Sequence, residues 1–234
     1  MIKKMWKKVP LKLRNRIHFL LHRINSNSFL LMILSFRHTL TCHRIAKLPS
    51  LKIRIGESRK FEGWVSANYQ VFTRNFLDGR RPFHGVSNLS YVYLDNVIEH
   101  LTRENGYKML SNIFLAMQSS GVIRLSTPDL KSICQNYLSS EEKYVKQLSH
   151  DLMNHGLNVV SMPDLLRVTF CAFGHEKGYI YDFDSIKLAL EQIGFCHIKF
   201  CRVGESMHSC LNGIESRIGE SDYWSQMCVE AIKP

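Results

Sequence analysis

Strand-like and helix-like patterns of apolar residues alternate from residue 51 onward. Residues 51–55, Leu-Lys-Ile-Arg-Ile, alternate apolar and basic side chains, and this period of two predicts a β-strand. Aromatic and branched residues are dense at 89–95 and 121–126, which predicts two further strands. Between those strands, apolar residues repeat at helical spacing, at Met109, Leu110, Ile113, Phe114 and Met117. Strand, helix and strand in this order predict a right-handed crossover and a mainly parallel sheet.

The carboxyl-terminal part of the chain adds one helix and a pair of strands. Residues 182–195 predict a helix that Asp182 caps and Gly194 ends. Residues 196–203 and 224–234 predict two consecutive strands on either side of a polar, Gly- and Ser-rich insert. Consecutive strands without an intervening helix indicate an antiparallel hairpin that closes the sheet. The predicted fold class is therefore α/β, with three layers.

The net charge of +11 comes entirely from the start of the chain. Residues 1–50 carry eleven Lys and Arg side chains and no Asp or Glu, whereas the remaining residues carry twenty of each sign. This asymmetry predicts a basic arm over 1–49, a neutral body over 50–234, and an anionic partner for the arm.

The predicted structure of the arm is a basic amphipathic helix. Its apolar residues share one helical face, at Leu13, Ile17, Leu20, Leu21 and Ile24. Residues 1–48 are expected to lie on an anionic membrane surface, or to pack on the body through the same apolar face. A nucleic-acid partner or organelle targeting is the other alternative. The apolar run at 29–36 is far shorter than the ~20 residues that span a bilayer.

Seven cysteines are scattered along the chain, without a C-x-x-C pair and without a Cys/His cluster at zinc spacing. This pattern is typical of free thiols in a reducing compartment. It predicts a cytoplasmic protein, with any peripheral membrane contact at the inner face, and no metal site.

Four stretches follow one another in the order IRIGESRKFEGWVSAN, RRPFHGVSNLSYVYLDNVIEHL, GVIRLSTPDL and YDFDSIKLALEQIGF. Together they resemble the class I S-adenosylmethionine-dependent methyltransferase superfamily. More narrowly, they are similar to bacterial methyltransferase-like proteins that carry a glycine-rich loop, GW-x-N-x-D, a PF turn, EHL and R-x-x-x-PDL. The resemblance covers residues 50–234.

This resemblance implies a Rossmann-like fold, S-adenosylmethionine as the cofactor, and methyl transfer to a small-molecule or glycan-type hydroxyl or carboxyl group. Residues 139–174 are then an inserted helical cap over the acceptor pocket. There are two alternatives from other classes. One is a catalytically inactive relative that acts as a binding protein, and the other is a nucleic-acid-binding or nucleic-acid-modifying protein.

The resemblance also assigns a cofactor site at the ends of the strands. Its candidate residues are Gly56, Glu57, Ser58, Asn68, Asn75 or Asp78, Asp95 and Asn96. Two positions depart from the family pattern, because Ser58 replaces a glycine and Asn68 replaces an acidic residue. Hydrogen bonds to charged groups contribute ~1.5–3 kcal/mol against ~0.5–1.5 kcal/mol for neutral ones, so weaker cofactor binding is expected.

The candidate catalytic residues are Asp95, His100 and His175. His100 in EHL would act as a general base, because imidazole titrates near neutral pH, and His175 matches a histidine in the family's H…YD stretch. The alternatives are structural. Either histidine packs or lies on the surface, Asp95 or Asn96 caps the next helix, and Asn96 with Glu99 forms a capping box.

Overall fold

The fold is that of a computed structural model, which describes residues 28–56, 61–70, 73–139, 142–154, 156–215 and 225–234. The predicted amphipathic helix over residues 13–24 and the candidate cofactor residues Glu57 and Ser58 lie outside the described residues. The described strands are β1 (Leu51–Ile55), β2 (Val65–Ala67), β3 (Leu89–Asp95), β4 (Met117–Pro128), β5 (Cys196–Cys201) and β6 (Gln226–Ile232). The described α-helices are α1 (Ser28–Ile45), α2 (Arg103–Ala116), α3 (Leu130–Ser139), α4 (Glu142–Asn154), α5 (Met162–Cys171) and α6 (Phe183–Ile193).

The six strands form one sheet in the order β2-β1-β3-β4-β6-β5. Strands β1 to β4 pair in parallel, and β6 runs antiparallel between β4 and β5. The mainly parallel sheet with an antiparallel carboxyl-terminal hairpin is confirmed. Because the parallel strands end at the same edge, the loops after β1, β2 and β3 meet there.

One face of the sheet carries the main hydrophobic core. Alternate strand residues point to this face, and they pack against α1, α2 and α6. Their fully or nearly fully buried members include Ile53, Val92, Ile123 and Val229. In α2, Met109, Leu110 and Ile113 are buried as the helical spacing predicts, whereas Met117 already begins β4.

The opposite face of the sheet carries a row of polar side chains that cross-strand pairing brings side by side. Arg54, Tyr93, Arg124 and Glu230 are consecutive partners across β1, β3, β4 and β6. Among the described residues, this face is covered by the loop 202–215, whose only helical piece is a short 3₁₀ turn. The third layer is therefore built from loop rather than α-helix in the part of the chain that the structure describes.

The segment after β3 corrects the predicted helix start. Residues 98–100 form a 3₁₀ turn, and α2 begins later, where the Thr102 hydroxyl accepts a hydrogen bond from the Asn105 N–H at 3.3 Å. The predicted capping box of Asn96 and Glu99 is wrong. The Glu99 carboxylate instead accepts a bond from the Thr127 hydroxyl at 3.2 Å on β4, so it points into the body rather than back along its own turn.

Helix α1, from the predicted arm, packs into the body. Cys42 and Ile45 belong to the main core, and His38 contacts the turn at 78–82. In the described part of the chain, every helix is too short or too polar to cross a membrane. All seven cysteines are free, as expected from their spacing.

Helices α4 and α5 pack on each other around a small separate core. Leu148, Leu152 and Leu165 form its buried centre. The Ser161 hydroxyl and the Asp164 carboxylate cap the start of α5 reciprocally. These two helices occupy most of the predicted cap at 139–174, and the loop after α5 reaches the strand ends.

Candidate functional site

A cavity of about 620 Å³ lies at the carboxyl ends of β1, β2 and β3. Five of the predicted site residues line it: Gly56, Asn68, Asp78, Asn96 and His100. Open α/β sheets bind ligands in this crevice, and the volume is in the range of small-molecule sites, ~300–1,000 Å³.

Gly56 ends β1 in a conformation that needs glycine. Its φ is +106°, and a Cβ at this position would lie 2.4 Å from Val97 Cγ2 and 2.7 Å from the Asp95 carbonyl oxygen. Gly56 was predicted from sequence as a cofactor-binding residue. In the structure, its missing side chain permits close contact with Asp95 and Val97, where the chain leaves β3. This packing sets the floor of the cavity.

The Asn68 side chain braces the loop that leaves β2. Its Nδ2 donates to the Gly56 carbonyl at 2.8 Å, and its Oδ1 accepts from the Gln70 N–H at 3.2 Å. A carboxylate cannot donate, so aspartate here would face the Gly56 carbonyl oxygen without a proton between them. These two hydrogen bonds explain why an amide, rather than the carboxylate of the family that the sequence resembles, occupies this position.

Of the two alternatives for the adenine-contacting position, Asp78 lines the cavity and Asn75 does not. Asn75 donates to the Ser66 carbonyl and accepts from Arg44, beside a separate cavity of about 870 Å³ along the outer edge of β2. Asp78 holds Arg80 through both carboxylate oxygens, at 2.8 and 3.0 Å. Burial opposes the ionisation of Asp78, but the neighbouring guanidinium groups of Arg80 and Arg81 outweigh it and keep the pKa of Asp78 below its ordinary value.

Asp95, at the end of β3, faces a different environment. Its carboxylate accepts a bond from the Tyr93 hydroxyl at 3.2 Å and lies 3.6 Å from an Arg54 guanidinium nitrogen. It borders a void of about 10 Å³ and neither larger cavity at the strand ends. Asp95 therefore does not line either of the cavities that the two candidate histidines line.

A second cavity of about 230 Å³ adjoins the first and shares Asn96 and His100 with it. Its remaining lining residues are Glu99, Pro128, Thr169, Phe173, His175 and Gln226. The imidazole rings of His100 and His175 lie 4.7 Å apart between centroids. The His175 Nδ1 is 2.6 Å from the Thr169 carbonyl oxygen, and because a carbonyl only accepts, Nδ1 is the donor. The two candidate histidines, distant in sequence, thus meet in one pocket.

Two side chains of the smaller cavity carry buried polar atoms without a hydrogen-bond partner among the described residues. These atoms are Asn96 Oδ1 and both amide atoms of Gln226. Asn96 also adopts a left-handed backbone conformation, with φ +49°, which is uncommon outside glycine. Unpaired buried amides beside a cavity are available to a water molecule or to a polar ligand. Gln226 was not identified from sequence, because a single glutamine at the start of a strand carries no distinctive pattern.

No protein-family model and no curated protein matches the chain. Among solved structures, it is similar to a SAM-dependent methyltransferase from Archaeoglobus fulgidus, at 16% identity and a TM-score of 0.43, covering 88% of this chain and 100% of that one. It is also similar to a possible histamine N-methyltransferase from Thermotoga maritima, at 9% identity and a TM-score of 0.46, covering 94% and 97%. A third is the Haemonchus contortus phosphoethanolamine N-methyltransferase 2, at 10% identity and a TM-score of 0.44, covering 85% of this chain and 52% of that one, so the chain spans about half of its length. The strand order and the antiparallel hairpin make the fold of this chain the Rossmann-like methyltransferase fold.

Proposed function

We propose that the chain is an S-adenosylmethionine-dependent methyltransferase acting on a small-molecule or glycan-type acceptor. The observation that carries this proposal is the 620 Å³ cavity at the carboxyl ends of β1, β2 and β3, which adjoins a second, polar cavity. Two adjoining cavities that share Asn96 and His100 would place a donor and an acceptor next to each other, and in-line methyl transfer requires such proximity.

When bound, the cofactor supplies a methyl group on a sulfonium sulfur. Tyr69 lines the larger cavity with 38% of its surface exposed, and the Arg80 guanidinium lies over its ring, 4.7 Å from the centroid. The adenine ring would stack on the exposed part of this pair. Asp78, held by Arg80, offers carboxylate oxygens that accept hydrogen bonds. Gly56 and Asn68 shape the loop on which the amino acid and ribose parts would rest.

The acceptor would enter the 230 Å³ cavity, where its polar group faces His100, His175 and the unpaired amides of Asn96 and Gln226. A hydroxyl group suits these partners because it both donates and accepts hydrogen bonds. An ionised carboxyl group suits them because it accepts hydrogen bonds and carries a negative charge. Thr169 and Phe173, at the end of α5 and just after it, would roof this pocket, in agreement with a cap over the acceptor.

Titration calorimetry with S-adenosylmethionine and S-adenosylhomocysteine tests the proposal. We expect both ligands to bind, and Tyr69→Ala to weaken binding about tenfold, since stacking of a base on an aromatic ring contributes ~1–3 kcal/mol. Tyr107→Ala is the matched control, because Tyr107 is equally exposed, at 39%, but lies on α2 outside the cavity lining. Absence of heat with either ligand at millimolar concentration would reject methyl transfer and leave a binding protein with this fold.

We further propose that α1 rests on an anionic membrane surface, so that a lipid-linked acceptor could reach the crevice. Met32, Phe36 and Leu40 recur every fourth residue and expose 60%, 69% and 53% of their surfaces. They form an apolar stripe on a helix without acidic residues. Leu31, next to this stripe, lines the larger cavity. An apolar stripe in an acid-free, basic segment suits the boundary between anionic headgroups and acyl chains.

Sedimentation with vesicles of phosphatidylcholine and phosphatidylglycerol tests this contact. We expect binding that salt weakens, that pure phosphatidylcholine vesicles do not support, and that the triple change Met32→Ser, Phe36→Ser and Leu40→Ser abolishes. Leu115→Ser, Leu138→Ser and Met207→Ser together form the control, because these side chains are exposed but lie outside α1. Salt-sensitive binding to duplex DNA without vesicle binding would instead assign the basic segment to phosphate backbones.

A further inference from the structure

Three potential metal ligands converge at the boundary between the two cavities. One carboxylate oxygen of Glu99 and one ring nitrogen each of His100 and His175 all lie within 4.8 Å of one another. Glu99 is buried, His175 is half-buried and His100 is exposed, so the cluster opens toward solvent on the His100 side. Metal–ligand distances of ~2.0–2.2 Å would require these three atoms to approach one another further through side-chain rotation.

The surrounding chain fixes the orientation of this cluster. The Thr127 hydroxyl donates to Glu99 at 3.2 Å, and the Nδ1 of His175 donates to the Thr169 carbonyl at 2.6 Å. Outer hydrogen bonds of this kind set the tautomer and orientation of ligating histidines. The loop that carries His175 also passes directly over Glu99. A Cβ on Gly178 would lie 1.8 Å from the Glu99 carbonyl oxygen, so only glycine permits this crossing.

We infer that Glu99, His100 and His175 form a binding site for one divalent transition-metal ion. Two imidazoles and one carboxylate are a ligand set that Zn²⁺, Mn²⁺ and Fe²⁺ accept, with coordination positions left open. A cation bound there would lie beside the buried Glu99 carboxylate and stabilise its ionised form. The sequence did not predict this site, because its ligands come from the turn after β3 and from the loop after α5.

This inference deepens the proposed function and rests on it for the role of the metal. All three proposed ligands line the 230 Å³ cavity, where the amides of Asn96 and Gln226 also lie. A cation held by Glu99, His100 and His175 would make a coordinated acceptor hydroxyl more acidic, so that its proton would pass to water. The acceptor oxygen would then form the new O–CH₃ bond as the S–CH₃ bond breaks, and the electron pair of that bond would stay on sulfur as a neutral thioether. The site therefore favours an oxygen acceptor over a carbon acceptor.

Metal binding is measured on full-length, tag-free protein after treatment with a chelator. Mn²⁺ is the probe for calorimetry and electron paramagnetic resonance, because thiolates bind it weakly and the chain carries seven free cysteines. We expect one Mn²⁺ per chain, and at least about tenfold weaker binding in His100→Ala and in His175→Ala. His84→Ala is the control, because His84 is exposed and outside both cavities, and it should bind Mn²⁺ like the unchanged protein.

The exposed position of His100 makes His100→Ala informative even if replacement of the buried Glu99 prevents folding. Unchanged Mn²⁺ affinity in both histidine variants, or no binding in the unchanged protein, would overturn the metal site. Titration of S-adenosylmethionine in parallel separates the two proposals. Cofactor binding without Mn²⁺ binding removes only the metal site, whereas Mn²⁺ binding without cofactor binding leaves the site standing and removes methyl transfer.

Discussion

At the residue scale, the side-chain amide of Asn68 has a structural role within the chain. Its amide bridges the ends of β1 and β2 by donating to Gly56 and accepting from Gln70. An acidic residue in this position is available to a ribose, but it cannot make the first of these bonds. The hydrogen bond from Asn68 to the Gly56 carbonyl thus holds the ends of β1 and β2 together beside the cavity.

Asn68→Asp should therefore destabilise the protein by about 1–3 kcal/mol, because it leaves the Gly56 carbonyl facing a carboxylate oxygen. Urea unfolding at neutral pH measures the change. Asn212→Asp is the comparison, since Asn212 uses its side-chain oxygen only to accept from the Ser206 N–H at 2.6 Å, which aspartate preserves. Equal stability of the Asn68 and Asn212 variants would show that the brace contributes nothing.

Single residues were predictable where their type is chemically unusual in its context. Gly56, His100 and His175 stood out in this way, and all three line the cavities at the strand ends. Gln226 was not predicted as a site residue, because it reaches the cavity through its pairing with Pro128 across the sheet. Its neighbours in sequence do not indicate this position. Glu99 was assigned to a helix cap because the sequence does not reveal that the Thr127 hydroxyl on β4 donates to its carboxylate.

At the element scale, His38 holds α1 to the body. Its Nε2 donates to the Pro82 carbonyl at 3.0 Å, and its Nδ1 accepts from the Asp78 N–H at 3.2 Å. Only the neutral ring can make both bonds, because a protonated ring carries hydrogen on both nitrogens. Burial is the largest influence, and it lowers the pKa of His38 below its ordinary value.

The attachment of α1 should weaken in mild acid. A lowered folded-state pKa means that the unfolded chain binds the proton first, so this stability is complete above about pH 6.5 and declines below it, by at most about 1.4 kcal/mol per pH unit. Urea unfolding at about pH 7.5 and about pH 5.5 measures the slope. His38→Gln should reduce the slope, while His43→Gln, at an exposed position of the same helix, should leave it unchanged. An identical slope in all three proteins would contradict the role of His38.

The bounds of strands and helices were predicted closely where the apolar pattern and the capping residues agree. They were predicted less closely where a local signal conflicts with tertiary contacts. The strand at 51–55, the strand at 89–95 and the helix capped by Asp182 match the observed bounds within two residues. The helix after β3 begins later than the predicted capping box of Asn96 and Glu99 indicates, because residues 98–100 form a 3₁₀ turn and Glu99 bonds to Thr127 of β4. Tertiary contacts override local propensity at such points.

At the scale of the whole molecule, buried charges attach the covering loop to the sheet. Arg124 is fully buried, and it donates to the carboxylates of Glu215 and Glu230 and to the Arg202 carbonyl. Glu230 comes from the neighbouring strand, whereas Glu215 and Arg202 bound the loop over this face. One guanidinium therefore joins β4, β6 and the covering loop.

Arg124→Met should lower the free energy of unfolding by about 3–5 kcal/mol, because it leaves two buried carboxylates without their cation. Replacing Arg124, Glu215 and Glu230 together by methionine should recover most of this loss, since all three desolvated charges disappear. Urea unfolding measures both variants. Lys187→Met, which breaks an exposed pair with Glu191, should change stability by less than about 1 kcal/mol. A triple variant less stable than Arg124→Met would contradict this account.

The overall charge distribution and the sheet were readable from sequence, but the second covering layer was not. Residues 204–223 have the composition of a polar, Gly- and Ser-rich insert. Nothing local distinguishes Glu215 from a solvated glutamate, and its burial follows from the register that places Arg124 beside Glu230. Long-range charge pairing of this kind is fixed by the assembled fold.

The common wall of Asn96 and His100 has a thermodynamic consequence for any two molecules that occupy the adjoining cavities. Whatever factor the first occupant applies to the affinity of the second, the second must apply to the first, because the binding cycle closes. Asn96 and His100 border both cavities, so a displacement of either side chain by one occupant would also change the space open to the other.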